Sequence, residues 1–466
     1  MKYVKLILIL IFIFLSEKQL CSQVIVHQNK KECDSIAFIK IDGLKRTKFK
    51  TIYRELNYAE GTKLFVNDSL INRWELRLSS LNLFTDVNVS RSYDTLKIQV
   101  TEEFYYWLNP VGGFADRNFH NWLLNPKFNR LYFGGDFLFY NLFGLNHTCT
   151  LSLVGGFNQQ VGLGYEWPNS KFGKGWLGKA KFSYSRNHEV WLKTENNQVV
   201  FYQIEPDYAQ QITSASLKLS KKLNYENSIE LGEMIDFYRI DPSVYYLNND
   251  YLGGYNELTA STFNLGFVYD SRNQKHYPTN GSELKLGLEI QQLFSKKNQV
   301  NWIQSLSLKW RKFKEVSSTF SIGSVLYGQY KLGHLNYLQS RQLGYSSDYV
   351  RGYEQYVVDG AGSAIFKLSV RKKLIDKKIK VRTFTKAINY SNAPLSIWLT
   401  LYNDNGKVLS PYKNSSFLGN TLQEKYLNSI GFSLDILAYY DLLTRFDVTR
   451  NHFGNWIFNL SFKHAI

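Results

Sequence analysis

The sequence predicts a mainly β fold, in which a transmembrane antiparallel β-barrel of about 16 strands follows one small α/β domain. Three observations support this class. Aromatic residues form 16% of the 466 residues while only 8 are proline, a composition that favours pleated sheets. Segments of about ten residues alternate between apolar and polar side chains from residue 105 onward. After residue 23, no apolar run approaches the roughly 20 residues that a transmembrane helix needs.

The amino terminus has the pattern of an export signal. Lys2 and Lys5 precede the apolar run LILILIFIFL, and small residues follow near Ser22. We therefore predict a signal peptide over residues 1–22 and a linker over residues 23–34.

Composition and motifs narrow the function classes. The formal net charge of +17 fits nucleic acid, an anionic membrane surface or an anionic solute, although solvated lysine faces explain it most simply. No zinc-finger spacing or RNA-binding aromatic signature accompanies the charge, so we expect no nucleic-acid partner. No nucleophile elbow, metal motif or serine–histidine–acid set stands out, which predicts no enzyme, catalytic residue, metal or cofactor. Cys33 and Cys149 lie far apart, and the sequence leaves open whether their thiols are free.

Residues 35–104 predict the small α/β domain, with the element order β-α-α-β-β. SIAFIKID alternates as a strand, Thr47 can cap a helix in KFKTIYREL, and GTKLFVND is expected to be a loop. A second helix opens near Asp68, and FTDVNVS and TLKIQVTEE follow as two strands. The apolar residues of the second helix recur at helical spacing: Leu70, Ile71, Trp74, Leu78 and Leu81.

Residues 105–466 predict the barrel, because each of their short segments has one apolar and one polar face. Side chains on a strand point alternately to opposite sides, so such segments suit a wall between lipid and a polar lumen. The apolar face of three of these segments comprises Leu284, Leu286, Leu288 and Ile290, then Leu306, Leu308 and Trp310, and finally Trp456, Phe458, Leu460 and Phe462.

Five motifs in order carry a resemblance to a known family. IDGLKRT…LKIQVTEE resembles a POTRA domain, and NLFG contains Asn141 and Gly144. YDSRNQKHYPTNGSEL, VRGY and LYNDNGKV follow in that order. Together these stretches resemble the BamA/TamA superfamily of outer-membrane insertases and translocators, over nearly the whole mature chain. The structural turn residues of the third motif are Asp270, Arg272, Pro278 and Gly281; those of the second are Asn141 and Gly144.

The resemblance implies a loop that folds back into the barrel lumen. This loop carries Val350, Arg351, Gly352 and Tyr353, and its arginine is expected to pair with Asp404 on the wall. The alternation of WLTLYND also turns Asp404 inward. A supporting glutamate of the family falls at Ser369 here, so Asp435 and Asp447 are kept as alternative acidic partners.

The resemblance further implies an assembly or translocation factor in the outer membrane of a Gram-negative bacterium, with the POTRA-like domain in the periplasm. Its partners would be unfolded outer-membrane or secreted client proteins, outer-membrane lipids, and periplasmic chaperones or accessory lipoproteins. A POTRA domain binds client chains by adding a strand to a sheet edge. Lipid transport stays open, and the alternative is a passive channel for anionic solutes. The inward lysines that would favour anions are Lys179, Lys181, Lys285 and Lys309.

Overall fold

A computed structural model describes most of the chain, as two compact units, Met1–Glu103 and Phe104–Ile466. The predicted signal peptide, Cys33 and most of the linker lie outside the described residues. The residues described are 34–36, 38–56, 64–66, 68–79, 81, 83–114, 128–168, 175–275, 277–295, 300–345, 349–379, 393–412, 419–438 and 442–464.

The amino-terminal unit is an α/β module with two small sheets. In the larger sheet, the central strand β5 pairs in parallel with β2 and antiparallel with β4. Two helices cover this sheet and bury Ile52, Trp74 and Leu78. The elements in chain order are β1 (Asp34–Ile36), β2 (Phe38–Asp42), α1 (Phe49–Leu56), β3 (Leu64–Val66), α2 (Asp68–Ser79), β4 (Phe84–Ser92) and β5 (Thr95–Glu102).

The module differs from the predicted order in one place. The segment expected to form one strand is divided into β1 and β2, and part of the expected loop forms β3. These two three-residue strands pair with each other, with Asp34 opposite Val66. β3 was not predicted because LFV within GTKLFVND is an apolar run without the alternation that indicates a half-buried strand.

The second unit is a closed antiparallel barrel, which confirms the predicted fold class. Within the described part of the chain, sixteen strands form its wall, and the last wall strand lies beside the first. The wall strands are β6 (Tyr106–Phe114), β7 (Leu131–Leu142), β8 (His147–Gly156), β9 (Asn158–Pro168), β10 (Trp176–Asn187), β13 (Gln210–Lys222), β14 (Asn227–Ile240), β15 (Glu257–Asp270), β16 (Gly281–Phe294), β17 (Val300–Ser317), β18 (Phe320–Leu332), β20 (Val358–Ile379), β21 (Ala393–Pro411), β22 (Leu427–Ala438), β23 (Leu442–Asn451) and β24 (Trp456–His464).

The two faces of the wall follow from strand alternation. On β21, Trp398, Tyr402 and Asp404 are buried toward the lumen, whereas Leu399 and Leu401 are exposed on the outward face. Outward leucine, phenylalanine and tryptophan side chains recur along the other wall strands, as expected for a surface in contact with lipid.

The barrel has two unlike ends, which we call the turn end and the loop end. Short connections, such as those between β7 and β8 and between β17 and β18, define the turn end. At the opposite, loop end the connections carry β11 (Glu189–Glu195), β12 (Gln198–Gln203), α3 (Pro242–Leu247), α4 (Tyr337–Ser340) and β19 (Arg341–Leu343). No helix in the described ranges is long and apolar enough to cross a membrane.

The long connections at the loop end pack together into a cap. Val190, Tyr251 and Tyr337, from three different connections, share one hydrophobic cluster. Asn197, at the tip of the β11–β12 hairpin, donates its backbone N–H to the side chain of Asn420 (2.8 Å), and its own side chain accepts from the N–H of Leu422 (2.8 Å). The cap is therefore a folded layer with its own core and polar contacts.

Candidate functional site in the barrel lumen

The connection between β19 and β20 enters the barrel. Residues 349–357 of this connection are called the lumen loop. Val350, Arg351 and Tyr353 are each less than a tenth exposed, which is unusual for a loop with this polarity. Val350 packs in a cluster with Ile365 and Val408 on the wall. The burial of these apolar side chains holds the loop against the strands that carry its polar partners.

The structure brings Arg351 and Asp404 together in a bidentate ion pair. The Nε of Arg351 donates to Oδ2 of Asp404 (2.7 Å), and Nη2 donates to Oδ1 (2.6 Å). The Arg351 side chain is 10% exposed and the Asp404 side chain 0%. A bidentate pair with so little exposure to water combines charge attraction with two directional hydrogen bonds. It therefore fixes the position of the loop.

Two more wall residues complete what we call the Arg351 cluster: Arg351, Asp404, Tyr402 and Lys367. The guanidinium carbon of Arg351 lies 3.3 Å from the ring centre of Tyr402, in a cation–π contact. The Nζ of Lys367 on β20 lies 3.7 Å from Oδ2 of Asp404. The acid therefore has two cationic neighbours, one on the loop and one on the wall.

Gly352 and Tyr353 set the path of the chain beside the arginine. Gly352 has φ +83°, a conformation that favours glycine, and an added Cβ would meet Cγ2 of Thr449 at 2.8 Å. Its carbonyl accepts from Nδ2 of Asn451 (3.1 Å). Tyr353 donates its hydroxyl to the backbone carbonyl of Asn428 (3.1 Å). The VRGY motif thus contacts β22 and β23 as well as β21.

Glu354 follows the motif and is buried with it. One carboxylate oxygen, Oε1, accepts the backbone N–H of Gly352 (3.0 Å), which closes a tight turn. Burial raises the pKa of Glu354 above its usual range, and the nearby charge of Asp447 acts in the same direction.

The alternative acids have other partners among the described residues. Asp435 is paired with Arg445, and Asp447 accepts from the hydroxyl of Tyr402 (3.4 Å). Ser369 donates to the backbone carbonyl of Gly323 (3.2 Å). Neither Asp435 nor Asp447 is an ion-pair partner of Arg351 in this structure.

The turn motifs shape the turn end. Arg272 joins Asp270 and Glu283, with its Nη2 at 2.8 Å from each carboxylate. Gly281 has φ +96°, and an added Cβ would meet the backbone oxygen of Ser271 at 2.3 Å. In the β7–β8 turn, Gly144 donates its N–H to the carbonyl of Asn141 (3.0 Å).

A second group of lumen contacts was not anticipated from the sequence. Tyr277, in the β15–β16 turn, reaches strands that are not its neighbours and donates its hydroxyl to Asp435 (2.7 Å). Arg445 donates to the same carboxylate through Nε (2.7 Å) and Nη2 (3.0 Å). Arg371 lies over the Tyr277 ring and donates to the carbonyl of Pro278 (3.0 Å). We call Tyr277, Asp435, Arg445 and Arg371 the Tyr277 cluster.

Two signals in the sequence bear on this second cluster. Tyr277 directly precedes Pro278 of the third motif, and Asp435 and Arg445 both occupy polar faces of predicted strands.

Across the described ranges, no group of three or more histidine, cysteine, aspartate or glutamate side chains is placed to hold a metal ion. The thiol of Cys149 is free.

A closed antiparallel barrel with an apolar outer face and a buried loop in its lumen defines a transmembrane β-barrel protein of the outer-membrane class. The Omp85 superfamily domain matches residues 141–437, more than half of the chain. The chain therefore belongs to the Omp85 superfamily, as a BamA/TamA-type outer-membrane barrel, and the predicted family is confirmed.

Solved structures with the same fold share little sequence with this chain. BamA from Haemophilus ducreyi lacking POTRA domains 1–3 is 15% identical with a TM-score of 0.59, covering 92% of this chain and 83% of that one. CdiB from Acinetobacter baumannii is 12% identical with a TM-score of 0.53, covering 92% and 74%. CdiB from Escherichia coli is 10% identical with a TM-score of 0.50, covering 96% and 91%.

At these identities the likeness shows the fold alone. No curated protein matches the chain significantly. Omp85 barrels are outer-membrane proteins of Gram-negative bacteria, and the family supports a role in outer-membrane protein insertion or translocation.

Proposed function

We propose that this protein inserts client proteins into the outer membrane, or moves them across it, without nucleotide or cofactor. The amino-terminal module acts as a single POTRA-like domain in the periplasm and captures client chains. The loop end then faces the cell exterior. The observation that carries the proposal is the buried ion pair between Arg351 and Asp404, which fixes a loop inside a barrel of the Omp85 superfamily.

The sheet of the module supports the capture step. Its order leaves β2 and β4 at the two edges, where a client strand can add by backbone hydrogen bonds. Side chains at these edges, including Lys40 and Ser90, are exposed. On β4, the N–H of Val89 is already bound by the side chain of Glu75 (3.1 Å), which favours β2 as the receiving edge.

Strand lengths support an opening between the first and last wall strands. β6 and β24 each have 9 residues, whereas β20 has 22 and β21 has 19. At about 3.4 Å per residue and a tilt of about 40°, a 9-residue strand spans roughly 23 Å. This is at the lower end of what a membrane-spanning strand needs and is shorter than the span of β20 and β21, so the bilayer would be thinner beside β6 and β24 than beside those strands, which lowers the barrier to insertion.

The lumen gives less support to a passive anion channel. Lys179 has an acidic partner that offsets its charge, since its Nζ lies 3.4 Å from Glu166. Glu283 lies 3.5 Å from Lys285 but also pairs with Arg272 and Arg311, so it offsets only part of their combined charge. The lumen loop also occupies space that a passive channel would leave to solutes.

The first test is depletion of the protein followed by complementation. We expect wild type, but not Arg351→Ala, to restore the abundance of a set of outer-membrane proteins. Arg450→Ala serves as the matched control, because it removes an exposed arginine on the outward face of β23. An unchanged outer-membrane proteome with reduced uptake of small solutes would identify a channel instead.

A second test addresses the module. We expect a photo-crosslinking residue at Lys40 of β2 to capture unfolded outer-membrane proteins, while the same residue at Lys97 on the central strand β5 captures none. Both side chains are exposed, so the positions differ in access to a sheet edge rather than in access to solvent. Equal capture at both positions would contradict strand addition.

A further inference from the structure

The outward face of the barrel changes character at the loop end of five neighbouring wall strands. Some outward residues near that end are apolar, such as Trp302 on β17, Leu332 on β18 and Trp456 on β24, each at least half exposed, whereas Arg450 on β23 is charged. From β10 to β15, a row of polar residues takes their place, and β16 adds an aromatic residue beneath it. Polar side chains at the ends of the wall strands lie where the wall meets the lipid head groups, so a continuous row of them can contact the polar parts of a lipid.

Strand register places these residues in two parallel rows. The outermost, which we call the rim row, is Arg186, Gln211, Arg239 and Glu257, each directly opposite the next. Two residues further from the end lies the aromatic row, which comprises Tyr184, Thr213, Phe237, Thr259 and Phe294. Residues two apart on a strand share a face, so both rows lie on the outward side.

A groove of about 560 Å³ is lined by members of both rows. Its volume falls within the usual range for small-molecule sites. Tyr184 and Gln211 on one side, Phe237 and Arg239 in the middle, and Phe294 on the other side belong to its lining. The edge of the groove formed by the rim row is polar and charged, while the edge formed by the aromatic row is largely aromatic.

The rim row is held in place by its own contacts and carries net positive charge. Arg239 lies 3.0 Å from Glu257, and its side chain is 66% exposed. The Nε of Arg186 donates to Gln159 (2.7 Å), and its guanidinium stacks over Tyr208 at 4.3 Å. Two arginines therefore face outward against one glutamate, with at least one of them braced by an aromatic ring.

We propose that this groove binds a phosphorylated glycolipid of the outer leaflet. Arginine is suited to phosphate groups, while Gln211 and Glu257 can exchange hydrogen bonds with sugar hydroxyls. The aromatic row suits the apolar faces of sugar rings and the first carbons of acyl chains. A phospholipid lacks the sugar hydroxyls that the amide and carboxylate would bind. The proposal places the loop end in the outer leaflet, as the proposed function does.

The test uses the purified full-length protein in detergent micelles, titrated with diphosphorylated lipid A and observed by native mass spectrometry. We expect the Arg186→Gln/Arg239→Gln double variant to bind lipid A about 10- to 30-fold more weakly, because each basic residue near an anionic lipid surface contributes about one kcal/mol. Arg450→Gln, which removes an outward arginine outside the groove, should bind as wild type does. Phe237→Ala should also weaken binding, through the aromatic row.

Three outcomes would overturn the proposal. Dephosphorylated lipid A binding as well as the diphosphorylated form would remove the role of the arginines. Phosphatidylglycerol binding as tightly would show a general anionic-lipid surface. A photo-crosslinker at Phe237 that recovers a protein in cells, with no glycolipid adduct, would show a protein interface. Folding of each variant is checked by heat-dependent gel mobility. Because binding is measured without clients, its failure leaves the proposed insertion function untouched.

Discussion

Two of the buried charge clusters in the barrel, the Arg351 cluster and the Tyr277 cluster, are built in different ways. In the Arg351 cluster, the acid is on the wall at Asp404 and the bidentate cation comes from a loop. In the Tyr277 cluster, acid and bidentate cation are both on the wall, since Asp435 and Arg445 are directly opposite each other on β22 and β23. The β15–β16 turn contributes only the neutral phenol of Tyr277 to that second cluster.

The ion pair of the Tyr277 cluster joins two wall strands, whereas the ion pair of the Arg351 cluster holds a loop against the wall. An ion pair between neighbouring strands is kept together by the pairing of those strands, so it contributes to the stability of the barrel. A pair between a loop and the wall can break while the barrel stays closed, provided that the remaining charge finds water or another partner. Lys367, 3.7 Å from Asp404, is such a partner. The wall-to-wall pair suits a structural element, and the loop-to-wall pair suits an element that can switch between two positions.

The largest expected effect is on barrel stability. Arg445→Leu should lower the free energy of unfolding by about 3–5 kcal/mol, because it leaves the carboxylate of Asp435 buried without its cation. Arg351→Leu should cost clearly less, since Lys367 remains and the loop can withdraw to admit water. Urea unfolding in micelles, followed by tryptophan fluorescence, measures both. Equal losses for the two variants would remove the distinction between wall and loop.

The second effect is local and concerns the lumen loop. Arg351→Leu should raise the rate of proteolysis or hydrogen exchange within residues 349–357 by about tenfold or more, because local opening no longer breaks the ion pair. Asp404→Asn, which keeps size and one acceptor, should give a smaller increase. The β15–β16 turn serves as the internal control, and its protection should not change. Protection of the lumen loop that persists in Arg351→Leu would show that apolar packing alone holds it.

The smallest effect belongs to the phenol. Tyr277→Phe should lower the free energy of unfolding by about 1.5–3 kcal/mol, the usual contribution of one hydrogen bond to a charged group. Asp435 keeps its bonds from Arg445, Thr400 and Ser433 in this variant. The same urea titration measures the change. A loss as large as that of Arg445→Leu would mean that the tyrosine itself seals the turn end.

The Arg351 cluster was accessible from the sequence because each of its two main members has a local signal. The VRGY motif indicates the loop arginine, and alternation along WLTLYND turns Asp404 to the polar face. The Tyr277 cluster has weaker signals, because the third motif and strand alternation place Tyr277, Asp435 and Arg445 but do not indicate that these residues meet. Its contact between Tyr277 and Asp435 spans 158 positions and exists only because the barrel closes, and the pairing of Asp435 with Arg445 depends on a register that no motif states. Strand β3 of the module was missed because its residues, LFV, do not alternate between apolar and polar side chains.

The cap has a consequence for the order in which this protein folds. The contact of Asn197 with Asn420 joins positions 223 residues apart, and Val357 donates its N–H to the Asn197 carbonyl as well. Contacts between such distant positions form late, because the loop-closure entropy is offset only once the intervening strands have paired. Resistance of the β11–β12 hairpin to protease should therefore appear after the wall has assembled, and would mark completion of the fold.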